Sequence, residues 1–481
     1  MTSRRHFLAA MASLPLAASP LGVFAQSPAR RLGMPPLLDA RDSGVFRLAA
    51  QAGQTNFTGR GASTTWGLNG AYLGPTVRLA TGRTSRAEVA NGLNEAITLH
   101  WHGLVIPGEV DGSPHQPIAP ATTWSPELPV DQPACTAWYH SHFHGATARQ
   151  VQLGLAGVLQ VDDGQDDARG LPSDYGVDDL TLVLQDRRFT RRGQMDYNLS
   201  MSEGMSGFMG DTMVVNGQVG ATAVVPRGLV RLRLLNGSNA RIYPLSFNDR
   251  RDMHLVATDS GYLDRPIALK TLVLAPGERA EVLVDFSDGV ESGLVSAQNP
   301  NAVMGGMMGG GGGGGRPFVV LPFAFDTSLP ARITQIPQDL GGELPLRNGA
   351  NIPVRRLNLD MPMGAGMMFG SSDAFGVNGR PFDRGRIDFA IGRGNVERWR
   401  ISADLMMHPF HIHGVRFAVL SENGRAPFAQ NLGWKDTVLV NGQVELLVRF
   451  DQPAPRNAPF MYHCHILEHE DRGMMGQFAV S

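Results

Sequence analysis

Four His-x-His pairs set the problem this chain has to solve: His100-Trp101-His102, His140-Ser141-His142, His411-Ile412-His413 and His463-Cys464-His465. They lie in two blocks near opposite ends of a 481-residue sequence, while the stretch from Leu180 to Phe325 contains only His254. On a strand, residues i and i+2 face the same way, so each pair can aim both imidazoles at one point. One such pair is weak evidence, because zinc hydrolases use it and a buried structural pair reads the same. Four of them, one enclosing a cysteine, demand a fold that gathers both ends of the chain around metal.

The third and fourth clusters are longer. In His408-Pro409-Phe410-His411-Ile412-His413, His408 stands an odd number of residues from His411 and should point to the opposite side of a regular strand. In His463-Cys464-His465-Ile466-Leu467-Glu468-His469, continuing to Met474, the cysteine likewise faces away from its two histidine neighbours. Two metal centres sharing one tripeptide are predicted. A thiolate, two imidazoles and a weak axial thioether form the blue-copper electron-transfer set, supplied by Cys464, His408, His469 and Met474. The remaining eight histidines bring no carboxylate or second thiolate, a set that suits several coppers, whereas zinc needs fewer ligands.

Short apolar runs broken by Gly and Pro, such as Leu232-Arg233-Leu234 and Val282-Leu283-Val284-Asp285-Phe286, indicate an all-β chain. The length suits about three domains. Consecutive β-sandwiches are expected over 36–165, 175–330 and 350–481, joined by a polar segment (Asp162 to Asp179) and a Pro-rich one (Leu329 to Pro353). The middle domain, lacking copper ligands, is expected to be architectural. The Gly/Met stretch Met304 to Gly315 is expected to be a flexible loop.

Residues 1–25 read as a twin-arginine export signal, with Ser3-Arg4-Arg5-His6-Phe7-Leu8, a short apolar stretch and small residues for cleavage after Ala25. The apolar run falls short of the roughly 20 residues that span a bilayer. A soluble periplasmic protein with no membrane association after signal removal is expected. Charged residues make up 18% and the net charge is −2, which leaves no basic field to hold nucleic acid or anionic lipid. Of the two cysteines, Cys464 is better used as a metal thiolate than in a disulfide, which leaves Cys135 as a small buried apolar residue.

In this order, the four motifs resemble those of the multicopper oxidases, built from three cupredoxin-like Greek-key β-sandwich domains. A closer resemblance, to bacterial periplasmic copper efflux oxidases, rests on Gly108-Glu109-Val110-Asp111-Gly112, Arg231-Leu232-Arg233-Leu234-Leu235-Asn236-Gly237, Gly433-Trp434-Lys435-Asp436-Thr437 and His469-Glu470-Asp471-Arg472-Gly473-Met474-Met475. The resemblance implies four copper ions: type 1 as above, type 2 on His100 and His411, and a type 3 pair on His102, His140, His142, His413, His463 and His465. The last two types form a trinuclear cluster between the first and third domains, where O2 is reduced to water by four electrons. It also implies that Asp111 and Glu470 deliver protons; the competing reading makes each a surface or turn-stabilising acid. Met475 and His144 are read as packing residues.

The electron donor is either Cu(I) or a phenolic small molecule. The sequence holds 21 methionines, many grouped as Met201-Met205-Met209, Met304-Met307-Met308 and Met361-Met363-Met367-Met368. Thioethers select Cu(I), so a cuprous oxidase is preferred over a laccase-like enzyme, although Met also fills core gaps. The substrate Cu(I) site is expected at Asp404 and Met406, two apart and just ahead of His408, with one or more of Met361, Met363, Met367 and Met368. Met406 as core packing and Asp404 as a turn residue is the alternative. Efflux oxidases usually carry a longer Met- and His-rich insertion in the third domain. A non-enzymatic, copper-sequestering exported protein is the third reading.

Overall fold

Strands appear where short runs of β-branched and aromatic residues are punctuated by turn residues, and three successive sandwiches result. The computed structural model describes residues 30–301, 316–345, 347–349, 351–361 and 375–481. The export signal and the Gly/Met stretch therefore lie outside the described residues. Arg31–Ser481 forms one unit.

The first sandwich packs the Leu37–Asp39, Thr76–Ala80, Ala156–Asp162 and Cys135–His140 strands against a sheet built on Ser63–Leu68, Val45–Thr55 and Arg83–Asn91. The second opposes a sheet of Thr212–Val215, Asp179–Arg187, Leu229–Asn236, Arg279–Asp285, Met253–Thr258 and Gly261–Leu269 to one that includes Ala221–Val225, Phe318–Phe325, Ser292–Ser296 and Tyr243–Phe247. In the third, the 17-residue strand Val396–Ile412 pairs with Val354–Asp360, Thr437–Arg449 and Phe460–Cys464.

One topological device recurs in all three. An early strand runs parallel to a later one: Val45–Thr55 with Arg83–Asn91, Asp179–Arg187 with Leu229–Asn236, and Val354–Asp360 with Val396–Ile412. The final strand of each sandwich also closes its sheet in parallel, as Ala156–Asp162 does on Thr76–Ala80, Phe318–Phe325 on Ala221–Val225, and Met475–Val480 on Phe389–Ile391. Parallel neighbours cannot be hairpins, so these pairings force the crossovers of a cupredoxin-like sandwich. Each sandwich has its own buried cluster, centred on Leu48, Val89 and Leu159 in the first, Leu232, Val282 and Phe323 in the second, and Trp399, Phe410 and Phe478 in the third. Each such side chain contributes about 1.5–3 kcal/mol on full burial.

Alternation misleads at one strand. Arg231 and Arg233 alternate with Val230, Leu232 and Leu234, yet both are buried, because that face meets the first domain and not water. Arg231 binds Glu281 and Asp166, Arg233 binds Asp179, and Thr136 Oγ1 donates to Glu281 at 2.6 Å. Charges buried this way persist only when paired and hydrogen-bonded. The polar segment after Asp162 is thereby tied down through Asp166.

Candidate metal centre

The same small device positions the histidines at both ends of the chain. His100 and His140 face each other across a β-bridge and exchange backbone hydrogen bonds, His100 N to His140 O at 2.9 Å and the reverse at 3.2 Å. His411 and His463 are likewise opposed in the antiparallel pairing of Val396–Ile412 with Phe460–Cys464, and Phe410 stands opposite Cys464. Opposed residues share a face, so the four rings converge and Cys464 turns away.

On that other face, His408 Nδ1 lies 3.3 Å and His469 Nδ1 3.8 Å from Cys464 Sγ, with all three residues fully buried. The ladder shifts register between Ala403 and His408 and is regular from His408 to His411, which is why the odd spacing sends His408 to the sulfur. The Ile466 N–H donates to Sγ at 3.3 Å. Met474 is buried in the same domain core, and its carbonyl accepts from the Cys464 N–H at 3.0 Å. Burial pushes the Cys464 thiol up, so a metal bound there must displace the proton. His469 is pushed down to about 3 by burial, and its Nε2 donates to the Met205 carbonyl at 3.0 Å. Phe375 stacks on its ring.

The eight other imidazoles form a single buried group. Each neutral ring has one N–H, and several of these are spent on fixed acceptors. His100 Nδ1 donates to Asp111 O at 3.0 Å, His411 Nδ1 to Asp436 O at 2.8 Å, His463 Nδ1 to Cys464 O at 2.9 Å, and His413 Nδ1 to Asp111 Oδ2 at 2.7 Å. Bare Nε2 atoms then face one another in two pairs, His100 and His411 at 3.5 Å and His413 and His463 at 3.2 Å, and His142 Nε2 also lies 3.2 Å from His463 Nε2. His140 Nε2, His102 Nδ1 and both nitrogens of His465 are buried without a protein partner. Burial first, then neighbouring imidazoles, holds His102, His140, His142, His413, His463 and His465 well below the ordinary histidine range. Protons therefore do not relieve the facing lone pairs. Metal cations would, and this donor set fits copper.

Residues 49–166, 172–304 and 355–481 match sequence models described as multicopper oxidase. The chain belongs to the multicopper oxidase family. It is 43% identical to the laccase-like multicopper oxidase CueO of Ochrobactrum sp., with a TM-score of 0.87 over 94% of this chain and 100% of that one. A laccase from Pediococcus acidilactici is 34% identical with a TM-score of 0.81, covering 95% of each chain. The cell division protein FtsP of Escherichia coli is 38% identical over 100% of this chain and 99% of its own length.

In this multicopper oxidase the two expected acids sit against imidazoles. Asp111 is fully buried on His413, and Glu470 places its oxygens 3.2 Å from His142 Nδ1 and 3.3 Å from His463 Nδ1. Burial, then Asp471, raises the Glu470 carboxyl well above its usual range. Cys135 is free and buried in the first core, and Met475 is buried too, whereas His144 is exposed with its ring against Phe382. The expected substrate residues are less regular. Asp404 and Met406 fall inside the register shift, so the alternation that would put them on one face does not apply; Asp404 is exposed, and Met406 packs half-buried on the third core, as does Met361. Met363, Met367 and Met368 lie outside the described residues.

Sequence reasoning missed Asp436, whose Oδ1 lies 3.1 Å from His102 Nε2, and Arg279, which grips that carboxylate. Burial alone would raise Asp436, but the Arg279 charge outweighs it and holds the carboxyl well below its usual range. The motif Gly433-Trp434-Lys435-Asp436-Thr437 marked the place without giving a role.

Proposed function

We propose that this chain is an exported copper oxidase that couples one-electron oxidation of Cu(I) to the four-electron reduction of O2 to water. The observation that carries the reading is the position of Cys464, which faces His408 and His469 while its neighbours His463 and His465 belong to the eight-imidazole group. Cys464, His408, His469 and Met474 would hold type 1 copper, His100 and His411 type 2, and His102, His140, His142, His413, His463 and His465 the type 3 pair. Bound copper would supply one-electron transfer at the thiolate and O2 reduction among the imidazoles. The chain's own contribution is covalent continuity from Cys464 to both flanking histidines, exclusion of water by burial, and two buried carboxyls, Asp111 and Glu470, set against the imidazoles to deliver protons.

Cu(I) is favoured over a bulky phenol because His469, the ligand a phenol would approach, is fully buried beneath the short Met201–Ser206 helix and hydrogen-bonded to it. Met205 and Met209 pack against the third core close by. The twin-arginine reading of residues 1–25 supports export, and no helix among the described residues is long and apolar enough to cross a membrane. The test is oxygen uptake by one copper-loaded sample given Cu(I) and, separately, a phenol. Faster turnover of Cu(I) is expected. Phenol oxidation alone would establish the laccase-like reading. The third reading is a non-enzymatic, copper-sequestering protein, and the full-length match to a relative named as a cell division protein keeps a role other than oxidation in view; a loaded protein that consumes no oxygen with either donor would establish a non-enzymatic role.

A further inference from the structure

The type 3 histidines divide into two trios with different surroundings. His142, His413 and His463 converge through their Nε2 atoms and are backed by Asp111 and Glu470, acids of the first and third domains. His102, His140 and His465, with ring centroids 5.1 to 5.6 Å apart, are backed on another side by the loop Ala275–Arg279 of the middle domain.

Two contacts make that loop more than a neighbour. Arg279 uses all five of its N–H donors: Nε to Thr136 O at 2.9 Å, Nη1 to Gly277 O at 3.0 Å and Asp436 Oδ1 at 2.7 Å, Nη2 to Asp259 O at 2.9 Å and Asp436 Oδ2 at 2.5 Å. It thereby locks strands of all three domains and fixes the Asp436 carboxylate in a fork, with Oδ1 held for His102 Nε2. With Nε2 so engaged, His102 presents Nδ1 as its free nitrogen, the atom that is buried without a protein partner. The chain makes room for this: a Cβ on Gly103, next to His102, would stand 2.5 Å from Arg279 Nη2 and 3.0 Å from Asp436 Oδ2. The second contact is Gly277, where φ is +83° and a Cβ would lie 2.7 to 2.9 Å from Cδ2, Cγ and Nε2 of His465. Its backbone therefore packs directly against that ring, whose own nitrogens have no protein partner.

We propose that the middle domain, although it contributes no ligand, positions one of the two type 3 coppers: Arg279 sets the orientation and free nitrogen of His102 through Asp436, and Gly277 sets the plane of His465. The proposal rests on the four-copper reading above. Residues that orient metal ligands from behind alter affinity or activity about 10- to 100-fold when changed, so the predicted defect is selective.

The experiment compares Arg279→Lys, Gly277→Ala and Arg233→Lys with the wild type, all copper-loaded as full chains. Arg279→Lys keeps the charge but loses the fork, and Gly277→Ala places a methyl against the His465 ring while leaving the Arg279 side chain in place. Arg233→Lys is the control, a buried middle-domain arginine paired with Asp179 and Glu281 that touches no imidazole. Readouts are copper per chain, the blue absorbance, and the paramagnetic resonance of any copper left without its coupled partner. Arg279→Lys and Gly277→Ala should keep the blue absorbance, lose about one copper per chain at limiting copper and gain a resonance signal, with affinity at that position down about 10- to 100-fold. Arg233→Lys should resemble the wild type. Full copper and unchanged spectra in both test variants would overturn the proposal, as would an equal loss in Arg233→Lys, which would reduce the effect to general domain docking. A wild type that binds no copper would overturn the four-copper reading and this proposal together. Should Arg279→Lys fail to fold, Gly277→Ala against the control still decides.

Discussion

The thiolate centre and the imidazole centre meet at one tripeptide but are assembled differently. His408, Cys464, His469 and Met474 all come from the third sandwich, within its own buried core. The eight imidazoles come half from the first domain and half from the third, and the middle domain wedges Arg279 and Gly277 between them. A site inside one core is as stable as that core, while a site between cores needs the domains docked as well. The comparison separates chemistry that a single cupredoxin-like domain can hold from chemistry that exists only in the assembled chain.

The largest effect should come from the residue at which the two centres meet. Cys464→Ser should abolish the blue absorbance and all turnover while the chain folds and keeps its imidazole-bound copper, because a hydroxyl cannot replace the thiolate; visible spectra with copper analysis decide it, and an intact blue band would sink the assignment. Next in size, a denaturant titration of the loaded protein should release imidazole-bound copper before the blue colour fades, since interdomain contacts yield before a domain core. Simultaneous loss of both signals would mean that the three domains unfold as one unit. Smaller again, Asp111→Asn and Glu470→Gln should keep copper content but slow oxygen reduction about 10- to 100-fold, because the amide preserves shape and removes the proton function. Stopped-flow reoxidation measures it, and unchanged rates in both would leave these acids structural. The mildest change is Met474→Leu, which should retain the blue site and raise its potential in a redox titration, as a weak axial ligand tunes more than it holds. Loss of the type 1 copper would instead make Met474 essential to binding.

Period-two reasoning read much of this arrangement from the sequence, because a strand gives residues i and i+2 one direction and both histidine blocks lie on or beside strands. It separated His408 from His411 and Cys464 from His463 for the reason the ladder confirms, an unbroken register from His408 onward. It does not reach Asp404 and Met406, which sit where the register shifts, since a bulge cannot be counted from a list of residues. Nor does it reach the burial of Arg231, Arg233 and Arg279, charged residues set in apolar strands. Their burial depends on the neighbouring domain, a fact of tertiary assembly that no local pattern carries. Arg279 was doubly hidden, because its effect passes through Asp436 to a histidine far away in sequence.

The repeated β-bridge also has a directional consequence. His100 opposite His140 and His411 opposite His463 make the two halves of the imidazole centre near-copies, as though two equal partners had met face to face. The copies differ at the middle residue of both tripeptides, and the difference that changes the chemistry is Ser141 in the first domain where Cys464 stands in the third; Trp101 and Ile412, at the other matched position, are both apolar. The Ser141 hydroxyl is committed to the Gln150 side chain, and the cysteine sulfur faces His408 and His469. One atom, oxygen on one side and sulfur on the other, therefore gives the third domain's half of the cage a soft donor facing outward where the first domain's half has a hydroxyl turned to an amide.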